Sequence, residues 1–183
     1  GVVTELAVIV KKLRSHKRGM KSKVVIILGS SRSNGETNKI VDTILRVSNF
    51  DRIDLNDYEF SYYDYEHKNA NDNYLNLMQN LINKYDTFLF ATPVYWYSMS
   101  GIMKVFFDRF TDLLDGEKEL GRQLRGKKMA VITCSNGNNL GDKFWYPFIE
   151  TANYLGMRYV ANLHTINENL NIKEIDEFIS KIN

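Results

Sequence analysis

Lys23-Val-Val-Ile-Ile-Leu-Gly29 is a short apolar run that ends in glycine, and Ser30-Ser-Arg-Ser-Asn-Gly-Glu-Thr37 follows it directly. A continuous apolar run of this length predicts a strand that is buried on both faces, as in a parallel sheet. The next apolar residues fall on one helical stripe, which predicts a helix over residues 36–48. The strand, the turn and the helix together form the first half of a βαβ unit.

The rest of the chain alternates in the same way. Further strands are predicted at residues 50–55, 87–91, 129–134 and 157–163, and further helices at residues 73–84, 102–114 and 141–155. Asn171 and Glu174 form a capping-box pattern, which predicts a last helix that buries Ile172, Ile175, Ile179 and Ile182. Strands that alternate with helices predict right-handed crossovers and one parallel sheet.

Polar residues distinguish the edge strands of this sheet from its central strands. The first, third and fourth predicted strands are almost wholly apolar, whereas polar residues interrupt the second and the fifth. Because central strands lie between two layers of helices, this pattern favours the order 2-1-3-4-5. We therefore predict a three-layer, doubly wound α/β fold with a five-stranded parallel sheet. Its ligand crevice should lie at the carboxyl ends of strands 1 and 3.

Composition limits the class of protein. The chain has 183 residues, of which 44% are apolar and 13% are aromatic, and this fits one folded domain. The single cysteine, Cys134, excludes an intrachain disulfide and a cysteine-built metal or iron–sulfur site. No apolar run approaches the roughly 18 residues that a membrane span requires. These observations predict a cytoplasmic protein that has no membrane partner.

The formal net charge of +2 is unevenly distributed along the chain. Residues 1–23 hold seven basic groups and one acidic group, whereas the other 160 residues hold 17 basic and 21 acidic groups, a net of −4. A basic arm alone would be compatible with nucleic acid or a membrane surface, but the domain that follows it is weakly acidic. We predict a basic N-terminal extension at residues 1–22, which is either helical or an addition upstream of Met20. The domain itself is predicted at residues 23–183, with no nucleic-acid partner.

Short polar side chains follow the first predicted strand. Its loop offers hydroxyl and amide groups, one guanidinium group and the N-terminus of a helix, and two glycines allow the backbone to turn tightly. These groups indicate a cradle for one terminal phosphate. The loop lacks the Gly-Lys-Ser/Thr ending of a P-loop and the Gly-x-Gly-x-x-Gly of dinucleotide folds. For this loop alone, an ordinary turn rich in serine and asparagine is the alternative.

Two further loops follow the third and fourth predicted strands. The first contains Pro93-Val-Tyr-Trp-Tyr97, whose aromatic side chains suit the cover of a flat ring, although an aromatic cluster or a subunit contact is the alternative. The second contains Ser135-Asn-Gly137, whose amide groups suit close approach to a ring, although Asn-Gly is also an ordinary turn signal. One mononucleotide with a flat ring would satisfy all three loops.

The sequence resembles a known family at these loops. Gly29-Ser-Ser-Arg-Ser-Asn-Gly-Glu-Thr37, Pro93-Val-Tyr-Trp-Tyr-Ser-Met-Ser-Gly-Ile-Met-Lys104 and Asp108-Arg-Phe-Thr111 look like motifs of the flavodoxin-like NAD(P)H-dependent FMN reductases. The resemblance runs from about residue 23 to residue 182. It implies FMN as cofactor, NADPH or NADH as co-substrate, and hydride transfer to a small-molecule electron acceptor such as a flavin or a quinone. It also implies a homodimer or a homotetramer.

The resemblance further implies which residues hold FMN. The phosphate would lie at Ser30, Ser31, Arg32, Ser33, Asn34, Gly35, Glu36 and Thr37. The isoalloxazine ring would lie against Pro93, Val94, Tyr95, Trp96, Tyr97, Ser135, Asn136 and Gly137. Because the flavin carries the chemistry, no side chain is predicted to act as a catalytic acid, base or nucleophile. Two roles stay open for Arg32, which would bind the phosphate of FMN or the 2′-phosphate of NADPH.

The chain departs from relatives of this kind in two places. Ser100 stands where proline usually precedes Gly101. Iron–sulfur flavoproteins, which resemble the chain near residues 95–101, would carry their cysteine cluster after strand 2, where residues 56–66 contain no cysteine. An iron–sulfur cluster is therefore excluded. We predict that the long loop at residues 56–72 forms a lid or a dimer contact beside the flavin.

Other functional classes compete with the reductase. The main alternative is a flavodoxin-like electron-transfer protein without its own nicotinamide site, which the mild charge of −4 disfavours because such carriers are usually strongly acidic. A signalling receiver would need acidic residues at the end of strand 1, and the chain has none there. Cys134 is interpreted as a small core residue. His16, His67 and His164 are interpreted as ordinary surface or strand-end residues.

Overall fold

The computed structural model describes residues 23–167 and 169–183, together with residues 4, 5 and 8. The predicted extension at residues 1–22 lies outside the described residues, apart from those three positions. The strands are Val24–Leu28 (β1), Asp51–Asp54 (β2), Thr87–Pro93 (β3), Lys128–Ser135 (β4) and Arg158–Ile166 (β5). The helices are Glu36–Arg46 (α1), Tyr74–Lys84 (α2), Gly101–Asp108 (α3), Thr111–Asp115 (α4), Lys118–Arg122 (α5), Tyr146–Leu155 (α6) and Ile172–Ile182 (α7).

The five strands form one sheet in the order β2-β1-β3-β4-β5, and every pairing is parallel. This confirms the order predicted from the polar residues. β1 is buried along its whole length, whereas β2 and β5 contain half-buried and exposed residues. The difference follows from position, since an edge strand has only one neighbouring strand and less cover from the helices.

Helices cover both faces of the sheet. Ile26 and Leu28 of β1 pack on one face against α1 and α7. Val25 and Ile27 pack on the other face against α2, α3 and α6. Alternate residues of a strand point to opposite faces, so a wholly apolar β1 supplies both cores. The three-layer, doubly wound architecture is confirmed. In the described part of the chain, no helix has the length and apolarity needed to cross a membrane.

The predicted helix at residues 102–114 is divided in two, so its continuity was wrong. α3 ends at Asp108 and α4 begins at Thr111. Between them, Phe110 N donates to Phe107 O at 3.0 Å and Asp112 N donates to Arg109 O at 3.0 Å. These hydrogen bonds reach back three residues instead of four, which tightens the turn and changes the direction of the chain.

The two C-terminal helical predictions also need correction. Residues 142–145 form a 3-10 turn, and the α-helix predicted from residue 141 begins only at Tyr146. In α7, Asn171 caps the helix as predicted, because its Oδ1 accepts from the backbone N–H of Lys173 and Glu174. Ile172 is 53% exposed, however, because it precedes the buried stripe. That stripe consists of Ile175, Phe178, Ile179 and Ile182.

Arg109, at the bend between α3 and α4, is fully buried and anchors the long loop that follows β2. Its Nη1 donates to Asp72 Oδ2 at 2.7 Å and its Nη2 donates to Asp72 Oδ1 at 3.0 Å. Its Nε donates to Asp112 Oδ2 at 2.9 Å, and its Nη1 also donates to Ser61 O at 3.0 Å. Burial acts to raise the pKa of Asp72, but hydrogen bonds from Arg109 and from backbone N–H groups outweigh it, so the pKa is lowered. The ion pair with Asp72 and the hydrogen bond to Ser61 hold two points of this loop to the helical layer.

Replacing Asp72 by Asn keeps the shape of this side chain but removes one of the two negative charges that face Arg109. We expect Asp72→Asn to lower the free energy of unfolding by about 3 kcal/mol, because a buried guanidinium would lose a partner. Asp42→Asn is the matched control, since Asp42 pairs with Arg52 at 2.7 Å in a largely exposed position and its loss should cost less than about 1 kcal/mol. Urea unfolding measures both values. Equal losses in the two variants would contradict the anchoring role.

Candidate active site

A cavity of about 460 Å³ opens at the carboxyl ends of β1, β3 and β4. It lies where the strand order predicts a crevice, because α1 leaves β1 towards one face and α3 leaves β3 towards the other. All three predicted loops contribute to its lining. The lining residues are Ser30, Arg32, Gly35, Glu36, Thr37, Pro93, Val94, Tyr95, Trp96, Tyr97, Cys134, Ser135, Asn136, Gly137, Asn139, Leu140 and Asn167.

Most of the predicted site residues are thus brought together, but the agreement is incomplete. Ser31, Ser33 and Asn34 belong to the first loop and are not part of the lining. The lining also contains residues that the sequence analysis did not select, namely Cys134, Asn139, Leu140 and Asn167. Asn167 was missed because the fifth strand was predicted to end at residue 163, whereas β5 extends to Ile166.

The N-terminus of α1 opens into the cavity. Gly35 is the N-cap residue, and among the described residues no side chain caps the helix there. The first backbone N–H groups of a helix lack partners within it, and the helix dipole adds partial positive charge. Ser30 and Thr37 are buried beside this turn, and Arg32 stands exposed at its rim. The arrangement is suited to bind a phosphate group.

Asn56 supports this first loop from the end of β2. Its Nδ2 donates to Ser30 O at 2.8 Å and to Ser33 Oγ at 3.3 Å. Asp54 Oδ1 accepts from Asn56 N at 2.9 Å and so holds the 3-10 turn that carries Asn56. Sequence reasoning missed this residue, because the predicted strand order places the two strand ends side by side but does not show which side chain bridges them.

Ser100 joins the loop after β3 to the end of β1. Its Oγ donates to Gly29 O at 2.7 Å and accepts from Met103 N at 3.2 Å, which caps α3. Its backbone N–H donates to Thr92 Oγ1 at 3.0 Å. Proline has neither a hydroxyl nor an N–H group and could make none of these contacts. The departure from the usual proline therefore has a structural explanation.

Tyr95 reaches from the second loop into the first. Its hydroxyl lies 2.7 Å from Ser31 Oγ. Partial burial acts to raise the pKa of Tyr95, but hydrogen bonds with Ser31 and Ser30 and the positive charge of Arg32 outweigh it, so the pKa is lowered. Such a hydroxyl is a good hydrogen-bond donor to an anion. Tyr95, which was predicted as a wall of the ring site, therefore also lies beside the polar groups of the first loop that are suited to bind a phosphate.

The end of β5 holds the third loop. Ser135 Oγ donates to Gly137 O at 2.9 Å and lies 2.5 Å from His164 Nε2. A serine hydroxyl has one proton, so His164 Nε2–H is the donor in the second contact. Burial lowers the pKa of His164. His164 is therefore a positioning residue for this loop and more than an ordinary strand-end residue.

Asn167 adds a second link between β5 and the third loop. Its N donates to Ser135 O at 2.9 Å and its Nδ2 donates to Asn136 Oδ1 at 2.7 Å. Its Oδ1 is buried and has no hydrogen-bond partner within the described part of the chain. A buried acceptor without a partner is costly, so this atom is suited to accept a hydrogen bond from a ligand.

Cys134 lies at the floor of the cavity. Its Sγ is 3.3 Å from Thr37 Oγ1 and its side chain is buried. Burial raises the pKa of the Cys134 thiol, which therefore stays protonated at neutral pH. Cys134 is thus a small buried residue of β4 that contacts α1, which agrees with its interpretation as a small core residue.

The long loop after β2 does not cover the cavity. None of the described residues 57–72 belongs to the lining. Arg109 holds Ser61 and Asp72 against the helical layer, and Tyr63 donates its hydroxyl to Asp115 Oδ2 at 3.3 Å. The predicted lid is therefore not seen in this structure, because the loop is tied to α3 and α4 instead. The predicted dimer contact stays a prediction.

The sequence of the chain matches a known family and a curated protein. The family described as NADPH-dependent FMN reductase matches residues 22–169. Among curated proteins, "Putative NAD(P)H-dependent FMN-containing oxidoreductase YwqN" of Bacillus subtilis (strain 168) is 27% identical over 124 residues, which are 64% of this chain and 68% of that protein.

Solved structures share the fold at low sequence identity. The Trp repressor binding protein from Bacillus subtilis matches with a TM-score of 0.65 and 21% identity, over 87% of this chain and 97% of that chain. An NADPH-quinone reductase from P. pentosaceus matches with a TM-score of 0.61 and 18% identity, over 87% of this chain and 95% of that chain. These two likenesses establish the fold.

Replacing Ser100 by Ala removes the hydroxyl that caps α3 and contacts Gly29. We expect Ser100→Ala to lower the free energy of unfolding by about 1–2 kcal/mol, because both a helix cap and a buried hydrogen bond are lost. Ser98→Ala is the matched control in the same loop, because Ser98 is exposed, and its effect should stay within about 0.5 kcal/mol. Urea unfolding of the two variants tests this, and similar losses would count against the role of Ser100.

His164 makes stability depend on pH. Because its pKa is lowered below the usual 6.5 in the folded protein, the unfolded chain binds protons more readily as the pH falls through 6.5. The free energy of unfolding should therefore decrease between pH 7 and the lowered pKa. His164→Gln, which cannot be protonated, should show a smaller decrease over this window. Urea unfolding at several pH values measures both slopes, and identical slopes would refute the assignment.

Proposed function

Because the chain belongs to the NADPH-dependent FMN reductase family, we propose that it is an oxidoreductase that transfers hydride from NADPH or NADH, through FMN, to a small acceptor such as a flavin or a quinone. The observation that carries this proposal is the N-terminus of α1, which no described side chain caps and which opens into the same cavity as the aromatic loop after β3. One end of the cavity suits a phosphate and the other suits a flat ring. FMN has both groups.

The phosphate of FMN would be held by residues 30–37. Backbone N–H groups of the first turn of α1 would donate to it, together with the hydroxyls of Ser30 and Thr37 and that of Tyr95. Arg32 adds a positive charge at the rim. The negative charge of Glu36 is offset by Lys39, whose Nζ lies 2.8 Å from Glu36 Oε1, so the cradle can accept an anion.

The ring of FMN would lie between residues 93–97 and residues 135–137. Pro93 and Val94 are half-buried and offer an apolar surface beside the ring. The third loop, which Ser135 and His164 hold in place, offers backbone groups to its polar edge. The Oδ1 of Asn167, which has no partner among the described residues, would accept a hydrogen bond at the same side.

When bound, FMN supplies the capacity to accept hydride from one molecule and to deliver it to another. The residues of the cavity are then required to bind and orient the reactants and to limit the access of water. Ser100 and Asn56 contribute indirectly, because they keep the first loop in place. No residue is assigned as a catalytic acid, base or nucleophile.

A homodimer or homotetramer is part of the same proposal. An apolar groove between α3–α4 and α6 supports it, in which Leu114 is 38% exposed and Tyr154 is 77% exposed. Phe107 and Phe110 form its buried floor. Exposed apolar surface of this kind is typical of contacts between protein chains.

Binding of FMN can be tested at Thr37. Thr37→Val keeps the shape of the side chain and removes its hydroxyl, so we expect FMN affinity to fall by about 1 kcal/mol, or roughly fivefold in Kd. Thr43→Val, on the same helix, is the matched control, because the Thr43 hydroxyl donates to Lys39 O outside the cavity and its loss should leave Kd unchanged. Flavin fluorescence titration measures both values. Equal Kd values in the two variants would contradict the placement of the phosphate.

The same preparation decides between a reductase and an electron carrier. A colourless protein that does not bind added FMN would overturn the flavin proposal altogether. Anaerobic addition of NADPH or NADH should bleach the bound flavin of a reductase, whereas a carrier without a nicotinamide site would stay oxidised.

A further inference from the structure

The loop after β3 contains a turn with an unusual backbone. Tyr95 N donates to Ser98 O at 2.9 Å and Ser98 N donates to Tyr95 O at 3.2 Å, which closes a two-residue hairpin. The two residues at its tip, Trp96 and Tyr97, have φ values of 50° and 65°. Positive φ at both positions is the pattern of a type I′ turn, for which Asn-Gly is the preferred sequence.

Two aromatic residues are poor choices for this turn. The left-handed conformation brings Cβ close to the following carbonyl oxygen, and bulky side chains are genuine outliers there. Backbone strain of this kind is typical of functional sites, where the surrounding structure maintains it. The hydrogen bonds of the hairpin and the contact of Tyr95 with Ser31 maintain it here.

Neither side chain is packed into the core of the fold. Trp96 is 94% exposed and Tyr97 is 65% exposed, whereas the other tryptophan, Trp145, is 8% exposed. Neither ring forms an aromatic pair or a hydrogen bond with another of the described residues. The two rings nevertheless line the cavity that holds the phosphate cradle. Strain without intrachain packing indicates that these side chains contact something outside the chain.

We propose that Trp96 and Tyr97 form an aromatic strap that stacks on the second ring ligand of the enzyme, the molecule that exchanges hydride with the flavin. The inference rests on the proposed function: the backbone of residues 93–97 would border FMN, whereas the side chains of Trp96 and Tyr97 would contact the second ligand. Tyr95 points towards the cradle from one end of the turn, while the tip projects into solvent at the rim. The tip is thus placed to cover a ring that enters after FMN.

The ligand that stacks on the strap must have a flat aromatic or quinonoid ring. Two molecules have it, namely the nicotinamide donor and the acceptor. Stacking on aromatic side chains depends on the ring face and is tolerant of substituents. A second copy of the chain is the competing partner for exposed aromatic rings, and the oligomeric state of a variant separates it from a small molecule.

The first arm of the experiment measures strain. The double variant Trp96→Asn, Tyr97→Gly installs the preferred turn sequence, and we expect its Tm to rise by about 3–6 °C because the strained conformation is relieved. Tyr62→Asn is the control, since Tyr62 is 79% exposed and does not have a positive φ. Its Tm should not rise. A double variant whose Tm does not rise would overturn the proposal.

The second arm measures ligands on the protein loaded with FMN. In steady-state assays of the double variant, we expect kcat/KM to fall about tenfold for NADPH or for a naphthoquinone. The substrate whose kcat/KM falls is the one that stacks on the strap. The Kd of FMN should change less than about threefold, because Tyr95 and the backbone border the cofactor. A loss for neither ligand would overturn the proposal, and a wild-type dimer that becomes monomeric in the variant would then assign the strap to a second copy.

The third arm uses fluorescence and does not depend on turnover. Trp96 is the exposed tryptophan and Trp145 the buried one, so iodide should quench Trp96 selectively. NADP+ or a naphthoquinone, neither of which reacts with oxidised flavin, should protect it from iodide. The same measurement on FMN-free protein with the naphthoquinone keeps the strap testable even if FMN does not bind. Absence of protection by both probes in both forms would overturn the strap, whereas absence of FMN binding would overturn only the proposed function.

Discussion

The hydrogen bond from Ser100 Oγ to Gly29 O is the contact on which the geometry of the site depends. β1 and β3 are neighbours, but α1 packs on one face of the sheet and α3 on the other. The loops that lead to these helices therefore diverge, and a cavity opens between them. At its base, Ser100 binds the end of β1 at 2.7 Å and caps α3. The same hydroxyl thus links the two walls at their base.

Other polar contacts extend this constraint across the sheet. Asn56 holds the first loop from the β2 side, and His164 and Asn167 hold the third loop from the β5 side. Both edge strands therefore support loops that belong to their inner neighbours. This explains why the partly polar edge strands matter for the site, although they contribute little to the two apolar cores.

The sequence predicted what depends on local patterns, and it missed what depends on contacts between distant elements. Apolar runs located the strands and polar residues indicated their order, because strands buried on both faces are apolar whereas edge strands contain polar residues. Asn56, His164 and Asn167 carry no such local signal, since their roles come from side-chain contacts across neighbouring strand ends. The bend at Arg109 was missed for the same reason: its partner Asp72 lies 37 positions away.

The turn at Trp96 and Tyr97 contains residue types that its backbone conformation disfavours. Two other unusual residues of this site have intrachain partners: Ser100 replaces proline and gains hydrogen bonds, and Tyr95 gains a contact with Ser31. The tip of the turn is strained and largely exposed, and its rings gain nothing comparable within the described residues. Selection for stability alone would favour asparagine and glycine there. Aromatic residues at a turn that prefers Asn-Gly therefore support a role for these two rings in binding a ligand.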